Sequence, residues 1–302
     1  MPPTPPLYTP VSTSPSALRI SHEYPILLLG SCFADEVGTR LATAGFDILC
    51  NPFGTLYNPL SIASCLLRAR NNEPIDDSLL FFRDGLWHSW LHHTRFSHPD
   101  RSIALQQCNN AITQTHRFLA RSPLIFITFG TAYIFRLAEP HPLAGSVVAN
   151  CHKMPASTFL RERLSVQDII EAWHPILQKS TNHQISNPSQ YLFTVSPIRH
   201  LADGAHGNQL SKSTLLLAVD SLLASAPPEQ ASYFDSYEIL LDELRDYRFY
   251  ARDLCHPSDV AVDIVWHHFQ QSFMSAETQE RCRQFQLQSR KLQHHPISQL
   301  IE

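Results

Sequence analysis

The chain has 302 residues, of which 43% are hydrophobic and 17% charged, and its formal net charge is −4. This composition excludes disordered, collagen-like and coiled-coil chains and favours a globular protein with a substantial core. Its apolar runs are shorter than the roughly 18 to 20 residues that cross a bilayer. Basic and acidic residues interleave, which excludes the charged surface that nucleic acid or anionic lipid requires. We therefore expect neither a membrane span nor a nucleic-acid partner.

The cysteines and the N-terminus indicate a cellular compartment. The seven cysteines are odd in number and scattered, and no CxxC pair occurs, which favours a reducing environment over a disulfide framework. The proline-rich start, Met1-Pro-Pro-Thr-Pro-Pro6, lacks the basic flank and apolar core of a secretory signal. We expect a cytoplasmic protein.

The first predicted elements are a strand and a helix that follow each other directly. Ile26–Leu29 is a continuous apolar run of the kind found in strands buried on both faces, and Gly30 ends it. From Ser31 onwards, apolar residues recur at helical spacing through Leu41, and the serine is a suitable helix cap. The sequence therefore predicts a tight strand-to-helix turn.

Two more buried strands follow, separated by segments long enough for helices. Leu124–Phe129 ends at Gly130, and Tyr191–Val195 leads into Ser196-Pro-Ile-Arg-His200. This rhythm predicts βαβ units and a mostly parallel sheet. Segment 71–123 interrupts the rhythm and is expected to be an insertion over one edge. We predict one α/β domain over residues 1–275 and a helical tail over 276–302, ending loosely.

Three motifs are expected to meet where the strands end, since ligands of open parallel sheets bind beyond the carboxyl ends. Gly30-Ser31-Cys32 places a hydroxyl and a thiol at a helix N-terminus, which stabilises an attacking anion. Gly130 offers a bare backbone N–H to an oxyanion. In Asp253-Leu-Cys-His256 a carboxylate stands three residues before an imidazole, which it can orient.

The run Gly30-Ser-Cys-Phe-Ala34 resembles the signature of the GSCFA family. The resemblance continues through three further motifs: Asn51-Pro-Phe-Gly-Thr-Leu-Tyr-Asn-Pro59, Ser196-Pro-Ile-Arg-His200 and Leu244-Arg-Asp-Tyr-Arg-Phe-Tyr250. GSCFA proteins are in turn similar to the SGNH (GDSL-like) hydrolases. That similarity implies a three-layer α/β/α sandwich of flavodoxin-like architecture and serine-type hydrolysis of a small ester, such as an O-acylated carbohydrate.

The resemblance also assigns roles residue by residue. Asp253 and His256 match the Asp-x-x-His block, and Gly130 matches the glycine of Gly-x-Asn. Ala132 stands where that block has its oxyanion asparagine. Gly54 is the counterpart of a separate oxyanion glycine. One of Asn51, Asn150 or Asn208 would have to replace the missing amide from another loop.

The nucleophile has two candidates. A gapless alignment of Gly-Asp-Ser onto Gly30-Ser31-Cys32 places Cys32 at the attacking position, and we prefer it over Ser31, whose other role is a helix cap. A thiol at a helix N-terminus beside an imidazole is expected to have a depressed pKa. Arg199 and His200, at the end of a strand, bind a substrate carboxylate, supply a rival base, or form a buried polar pair.

Two alternatives to an esterase or acyltransferase remain open. The missing asparagine and the altered nucleophile block favour a non-catalytic carbohydrate- or ligand-binding protein on the same scaffold. A zinc hydrolase would use the Cys-His pairs at 151–152 and 255–256 with His88 and His92. Their spacing is not a recognised metal pattern, so we expect neither a metal nor a cofactor.

Overall fold

The structure is a computed structural model that describes residues 8–12, 15–178, 189–227 and 229–293. Its strands are β1 Ile26–Gly30, β2 Ile48–Cys50, β3 Leu80–Arg83, β4 Leu86–Ser89, β5 Leu124–Phe129, β6 Tyr133–Leu137, β7 Val147–Val148, β8 Phe159–Arg163, β9 Gln190–Val195 and β10 Ala231–Tyr233. Its helices are α1 Cys32–Thr43, α2 Pro59–Arg70, α3 Arg101–Leu119, α4 Val166–Leu177, α5 Gly204–Ser225, α6 Ser236–Glu238, α7 Asp259–Phe273 and α8 Ala276–Gln293. Among the helices of the described ranges, none is long and apolar enough to cross a membrane.

The central sheet has five strands in the order β10-β9-β5-β1-β2, and every pair in it is parallel. Counted along the chain within this sheet, the order is that of flavodoxin-like proteins. The predicted α/β fold and its three buried strands are confirmed. Every residue of β1 and β5 is buried, which explains why these segments are continuously apolar rather than alternating.

Helices cover both faces of the sheet and complete the three-layer sandwich. Leu27 and Leu29 of β1 point into one core, to which α2, α3, α4 and α5 contribute. Ile26 and Leu28 point into the other, which is built with α1, α7 and α8. The period-two alternation of a strand therefore divides a single apolar run between two cores.

Two small antiparallel sheets flank this sandwich, one formed by β3 and β4 and the other ordered β7-β6-β8. Segment 71–123 consists mainly of the β3–β4 hairpin and α3, and α3 buries Cys108 and Ile112 in the same core as Leu27. The division into a domain over 1–275, an insertion and a tail stays a prediction. Helix α8 occupies the start of that tail, and residues 294–302 lie outside the described residues.

The turn between β1 and α1 brings the backbone of two neighbouring strands into close contact. Gly30 has φ +140°, and a Cβ there would lie 2.2 Å from the carbonyl oxygen of Thr128 on β5. The Gly30 N–H donates to Asn51 Oδ1 at 2.9 Å, and its carbonyl accepts the Leu56 N–H at 2.9 Å. Only glycine fits this position, and α1 begins two residues later.

Replacing Gly30 with alanine should therefore destabilise the fold much more than the same change at another glycine of positive φ. Gly85 has φ +79°, but a Cβ added to it would have no atom within 4 Å. We expect Gly85→Ala to cost about 1 kcal/mol of unfolding free energy from backbone strain alone. Gly30→Ala should cost on the order of 3 kcal/mol or more, because the Thr128 backbone must move. Urea denaturation measures both, and equal losses would contradict the close approach.

Candidate active site

The candidate site lies at the carboxyl ends of β1, β5 and β9, where the loops after these strands meet the segment that precedes α7. Strands β1 and β5 are neighbours, and the chain leaves them in opposite directions across the sheet. Such a switch point opens a crevice between loops in doubly wound folds. The nucleophile candidate, Cys32, follows β1 at this crevice.

A thiol, an imidazole and a carboxylate form one connected row. Cys32 Sγ lies 3.6 Å from His256 Nε2. His256 Nδ1 lies 2.5 Å from Asp253 Oδ2, and both side chains are about half exposed. When Nδ1–H donates to the carboxylate, Nε2 carries the lone pair that accepts the thiol proton. The structure thus brings together the three residues that the sequence assigned to nucleophile, base and orienting acid.

The local backbone and Arg199 hold the imidazole in place. Asp253 Oδ1 accepts the N–H groups of Cys255 and His256 at 2.9 and 3.0 Å, while Leu254 takes a φ of +57°. Arg199 donates its backbone N–H to the Cys255 carbonyl at 3.0 Å and its guanidinium to the Leu254 carbonyl at 3.3 Å. The contacts of Arg199 thus position the histidine loop.

The pKa of the Cys32 thiol differs from the expectation based on the sequence. The N–H groups of His256 and Cys255, together with the imidazole, lower the pKa of Asp253 to about 2. Burial raises the pKa of Cys32 above its ordinary value, and the carboxylates of Asp35 and Glu36 raise it further, against the backbone N–H groups at the helix start. The expected depressed pKa of Cys32 is therefore wrong, and the thiol needs a base.

Ser31 has a structural position rather than a reactive one. It is 1% exposed, and its Oγ accepts the Phe33 N–H at 3.3 Å as the N-cap of α1. Cys32 is the first residue of the helix and is the one that faces His256. The geometry therefore favours Cys32 over Ser31 as the nucleophile.

The two glycines expected to bind an oxyanion already donate their backbone N–H groups to other carbonyls. The Gly130 N–H donates to the Tyr57 carbonyl at 2.8 Å. The Gly54 N–H donates to the Asn51 carbonyl at 2.8 Å, and the missing Cβ of Gly54 makes room for His93. Contrary to expectation, neither N–H is free to bind an oxyanion in this structure.

The side chains of the three asparagines considered as replacements also accept hydrogen bonds from backbone N–H groups. Asn51 is buried, and besides accepting the Gly30 N–H it donates from Nδ2 to Asp35 Oδ1 at 2.8 Å. The side-chain oxygens of Asn150 and Asn208 accept the N–H groups of His152 and His200, respectively. Among the described residues, the Cys32 N–H at the start of α1 has no hydrogen-bond partner, as is usual for the first N–H groups of a helix, which makes it a candidate donor to an oxyanion.

Sequence reasoning missed Lys212, which lies beneath the site. It is 1% exposed, and its Nζ donates to the carbonyls of Gly130 and Ser196, each at 2.7 Å. Serines flank Lys212 in the sequence, and the apolar run of α5 begins only at Leu215, so no local pattern indicates that the lysine is buried. His200 stands nearby; burial, with a contribution from Lys212, lowers the pKa of His200 to about 4, so it is a weak base in this site.

Three histidines of the zinc alternative, His88, His92 and His152, do cluster, but they bind serines. His152 Nε2 donates to the Ser89 carbonyl at 2.8 Å, the Ser89 hydroxyl bonds His92 Nδ1 at 2.9 Å, and the His88 and His152 rings are 4.8 Å apart. Among the described residues, no group of three or more His, Cys, Asp or Glu side chains is arranged to hold a metal ion. This cluster lends no support to a zinc hydrolase.

Comparison with known proteins gives one result. The model of the GSCFA family matches residues 25–269, a range that includes β1, β5, β9 and every member of the Cys-His-Asp row. No curated protein and no solved structure matches the chain.

The buried histidines should make the fold sensitive to mild acid. Burial lowers the pKa of His92 to about 3 and of His152 to about 4, against 6.5 in the unfolded chain. Below pH 6.5 the unfolded state binds more protons, so stability falls as the pH drops from about 6.5 towards 4. We expect each histidine to contribute a loss of about 1.4 kcal/mol per pH unit over that range.

Urea denaturation at neutral and mildly acidic pH measures this slope. His152→Gln should flatten it, while the same substitution at the exposed His267 should leave it unchanged. An unchanged slope in folded His152→Gln protein would contradict the assignment.

Proposed function

The chain belongs to the GSCFA family, and we propose that it is an esterase or acyltransferase that acts on a small ester through a cysteine nucleophile. The observation that carries the proposal is the continuous row from Cys32 Sγ through the His256 ring to Asp253. Nucleophile, base and orienting carboxylate in hydrogen-bond reach are the arrangement that covalent acyl transfer needs.

The first half of the reaction forms a thioester. His256 Nε2 takes the Sγ proton while Cys32 attacks the ester carbonyl, and the carbonyl electrons move to the oxygen. The Cys32 N–H, at the start of α1, is placed to stabilise this oxyanion. Collapse of the intermediate breaks the bond to the alcohol oxygen, which leaves with the proton from His256. Asp253 stabilises the imidazolium meanwhile.

The second half releases the acyl group. Water or an acceptor alcohol gives its proton to His256 Nε2 and attacks the thioester carbonyl, and the sulfur leaves and recovers the proton. Water yields a carboxylic acid, and an alcohol yields a new ester. A raised thiol pKa is compatible with this chemistry because the proton moves during attack rather than before it.

We also propose a relation to the SGNH hydrolases. The flavodoxin-like strand order and the chain order of nucleophile, Asp253 and His256 support it. The fully buried Ala132, in place of the oxyanion asparagine, is the departure from that group. An O-acylated carbohydrate is our proposed substrate class, and the half-exposed imidazole leaves room for a bulky alcohol portion. The cytoplasm is the proposed location, where the seven free cysteines stay reduced.

The second candidate function is ligand binding without catalysis. The N–H groups of Gly130 and Gly54 already donate to backbone carbonyls. The loops that carry these glycines therefore supply no second donor, beside the Cys32 N–H, to an oxyanion. If ground-state binding is the only role, the Cys-His-Asp row forms no covalent intermediate. The two functions therefore differ in whether Cys32 becomes acylated.

Hydrolysis of 4-nitrophenyl acetate by purified variants separates the nucleophile candidates. Cys32→Ala and His256→Ala should each lower kcat/KM by about 100-fold or more, because the row loses its nucleophile or its base. Ser31→Ala should keep most of the activity and lose about 1 kcal/mol of stability as a lost helix cap. An inactive Ser31→Ala beside an active Cys32→Ala would reverse the assignment. Inactivity of the folded wild type would favour the binding protein.

The carboxylate gives a second prediction. Asp253→Asn removes the charge that supports the imidazolium and the acceptor that fixes its tautomer, so kcat should fall by about 100-fold or more. Asp259, exposed in the first turn of α7, is the matched control, and Asp259→Asn should leave kcat unchanged. Equal activity of the two variants would remove Asp253 from the mechanism.

A further inference from the structure

The motif over residues 51–59 contributes no member of the Cys-His-Asp row, yet it crosses the carboxyl ends of two strands of the site. The Leu56 N–H donates to the carbonyl of Gly30, the last residue of β1, at 2.9 Å. The Tyr57 carbonyl accepts the N–H groups of Gly130 and of the residue after it, at 2.8 and 3.0 Å. The cap of α2 follows directly. Hydrogen bonds therefore fix the backbone on both sides of Tyr57.

The side chain of Tyr57 is exposed above this fixed backbone. It is 38% exposed, whereas the residues on either side of it are buried. Its Cδ1 atom lies 3.3 Å from the point where a Cβ on Gly130 would stand, and Ser31 Cβ lies 3.4 Å from the same point. The ring thus fills the space that the glycine leaves open, beside the residue that precedes Cys32.

His200 packs against the Tyr57 ring from the loop after β9. The two rings meet edge to face, with their centroids 6.3 Å apart. The backbone N–H of His200 donates to Asn208 Oδ1 on α5 at 3.0 Å, which holds the histidine in turn. A fixed backbone and a packed neighbouring ring restrict how far the Tyr57 side chain can move aside.

The Cys-His-Asp row and Tyr57 come from opposite faces of the central sheet. Cys32 begins α1 and His256 lies shortly before α7, and both helices pack into the core that contains Leu28. Tyr57 lies shortly before α2, which packs into the core that contains Leu27. A substrate at the carboxyl edge of the sheet therefore has the row on one side and the tyrosine ring on the other.

The chemistry of the proposed acyl transfer decides which part of an ester faces Tyr57. The alcohol oxygen must lie at His256 Nε2, from which it receives its proton, and the carbonyl oxygen at the Cys32 N–H. The acyl chain is the remaining substituent on the carbon under attack. It points away from both groups, across the crevice and towards the tyrosine.

We propose that Tyr57 is the specificity-determining residue of this site: its ring closes the acyl side of the crevice and restricts the acyl group to a short one such as acetyl. The inference rests on the proposed function for the identity of the acyl group. The obstruction itself is a property of the fold, and reagents that modify Cys32 without ester turnover measure it.

A tyrosine that only covers the surface would have a different signature. In that case, removing the ring changes the access of no reagent to Cys32. If the ring closes the crevice, its removal admits large reagents, while small reagents gain little because they already fit. The ratio of the two rates cancels any common change in the reactivity of the thiol.

The first test compares the rates at which iodoacetamide and the larger iodoacetanilide alkylate Cys32, followed on the Cys32 peptide by mass spectrometry. Glutathione gives the intrinsic ratio of the two reagents. Relative to glutathione, we expect the wild type to disfavour the larger reagent by about tenfold or more, and Tyr57→Ala to remove most of this discrimination. Tyr57→Phe, which keeps the ring, should behave like the wild type.

Tyr24 provides the matched control for this test. It is an exposed tyrosine shortly before β1, at the other end of that strand, and Tyr24→Ala should discriminate like the wild type. Tyr57→Leu, which keeps an apolar side chain against Gly130, serves for the same comparison if the alanine variant does not fold. A wild type without discrimination, or unchanged discrimination in the folded smaller variant, would overturn the proposal.

The second test uses the acyl chain itself. The wild type should have a higher kcat/KM for 4-nitrophenyl acetate than for 4-nitrophenyl hexanoate, and Tyr57→Ala should shift this ratio towards the hexanoate by about tenfold. Discrimination between the alkylating reagents in a protein that hydrolyses neither ester would keep the closed crevice and contradict the proposed function. Hydrolysis with the same chain-length preference in both proteins would keep the enzyme and contradict the role of Tyr57.

Discussion

The close approach of β1 and β5 at Gly30 is the constraint on which the site depends. Because glycine has no side chain, Gly30 can lie against the Thr128 carbonyl. The chain turns at this point, and α1 begins two residues later. The turn is held from a third side by Asn51, whose amide in turn binds Asp35 on α1. The close backbone packing at Gly30 therefore determines the position of Cys32 relative to the neighbouring loops.

Three polar side chains around this turn bind backbone groups. Arg199 fixes the loop that carries His256, Asn51 fixes the Gly30 turn, and Lys212 fixes the ends of β5 and β9. Asn51 and Lys212 satisfy backbone groups where the sheet ends, and Arg199 satisfies a carbonyl of the loop before α7. In the acyl transfer that we propose, such contacts keep Cys32 and His256 in register, and orientation of this kind is one source of rate.

The sequence predicted what short-range patterns determine. The apolar runs identified β1, β5 and β9, and the three-residue spacing of Asp253 and His256 on a turn predicted their contact. The sequence did not predict features that depend on contacts between residues far apart in the chain. The N–H of Gly130 is taken by Tyr57, from a loop distant in sequence, and nothing in the local pattern indicates that bond. The pKa of Cys32 likewise depends on burial by the whole fold, and Lys212 reads as an ordinary helix residue until its carbonyl partners are known.

Acylation of Cys32 is the central claim, and mass spectrometry of the protein mixed rapidly with 4-nitrophenyl acetate tests it directly. We expect one acetyl group, mapped to the Cys32 peptide, in wild type and in Ser31→Ala but absent from Cys32→Ala. We also expect this thioester to form more slowly in His256→Ala, because the thiol keeps its proton. An acetyl group on Ser31, or a folded wild type that never acylates Cys32, would contradict the proposed mechanism.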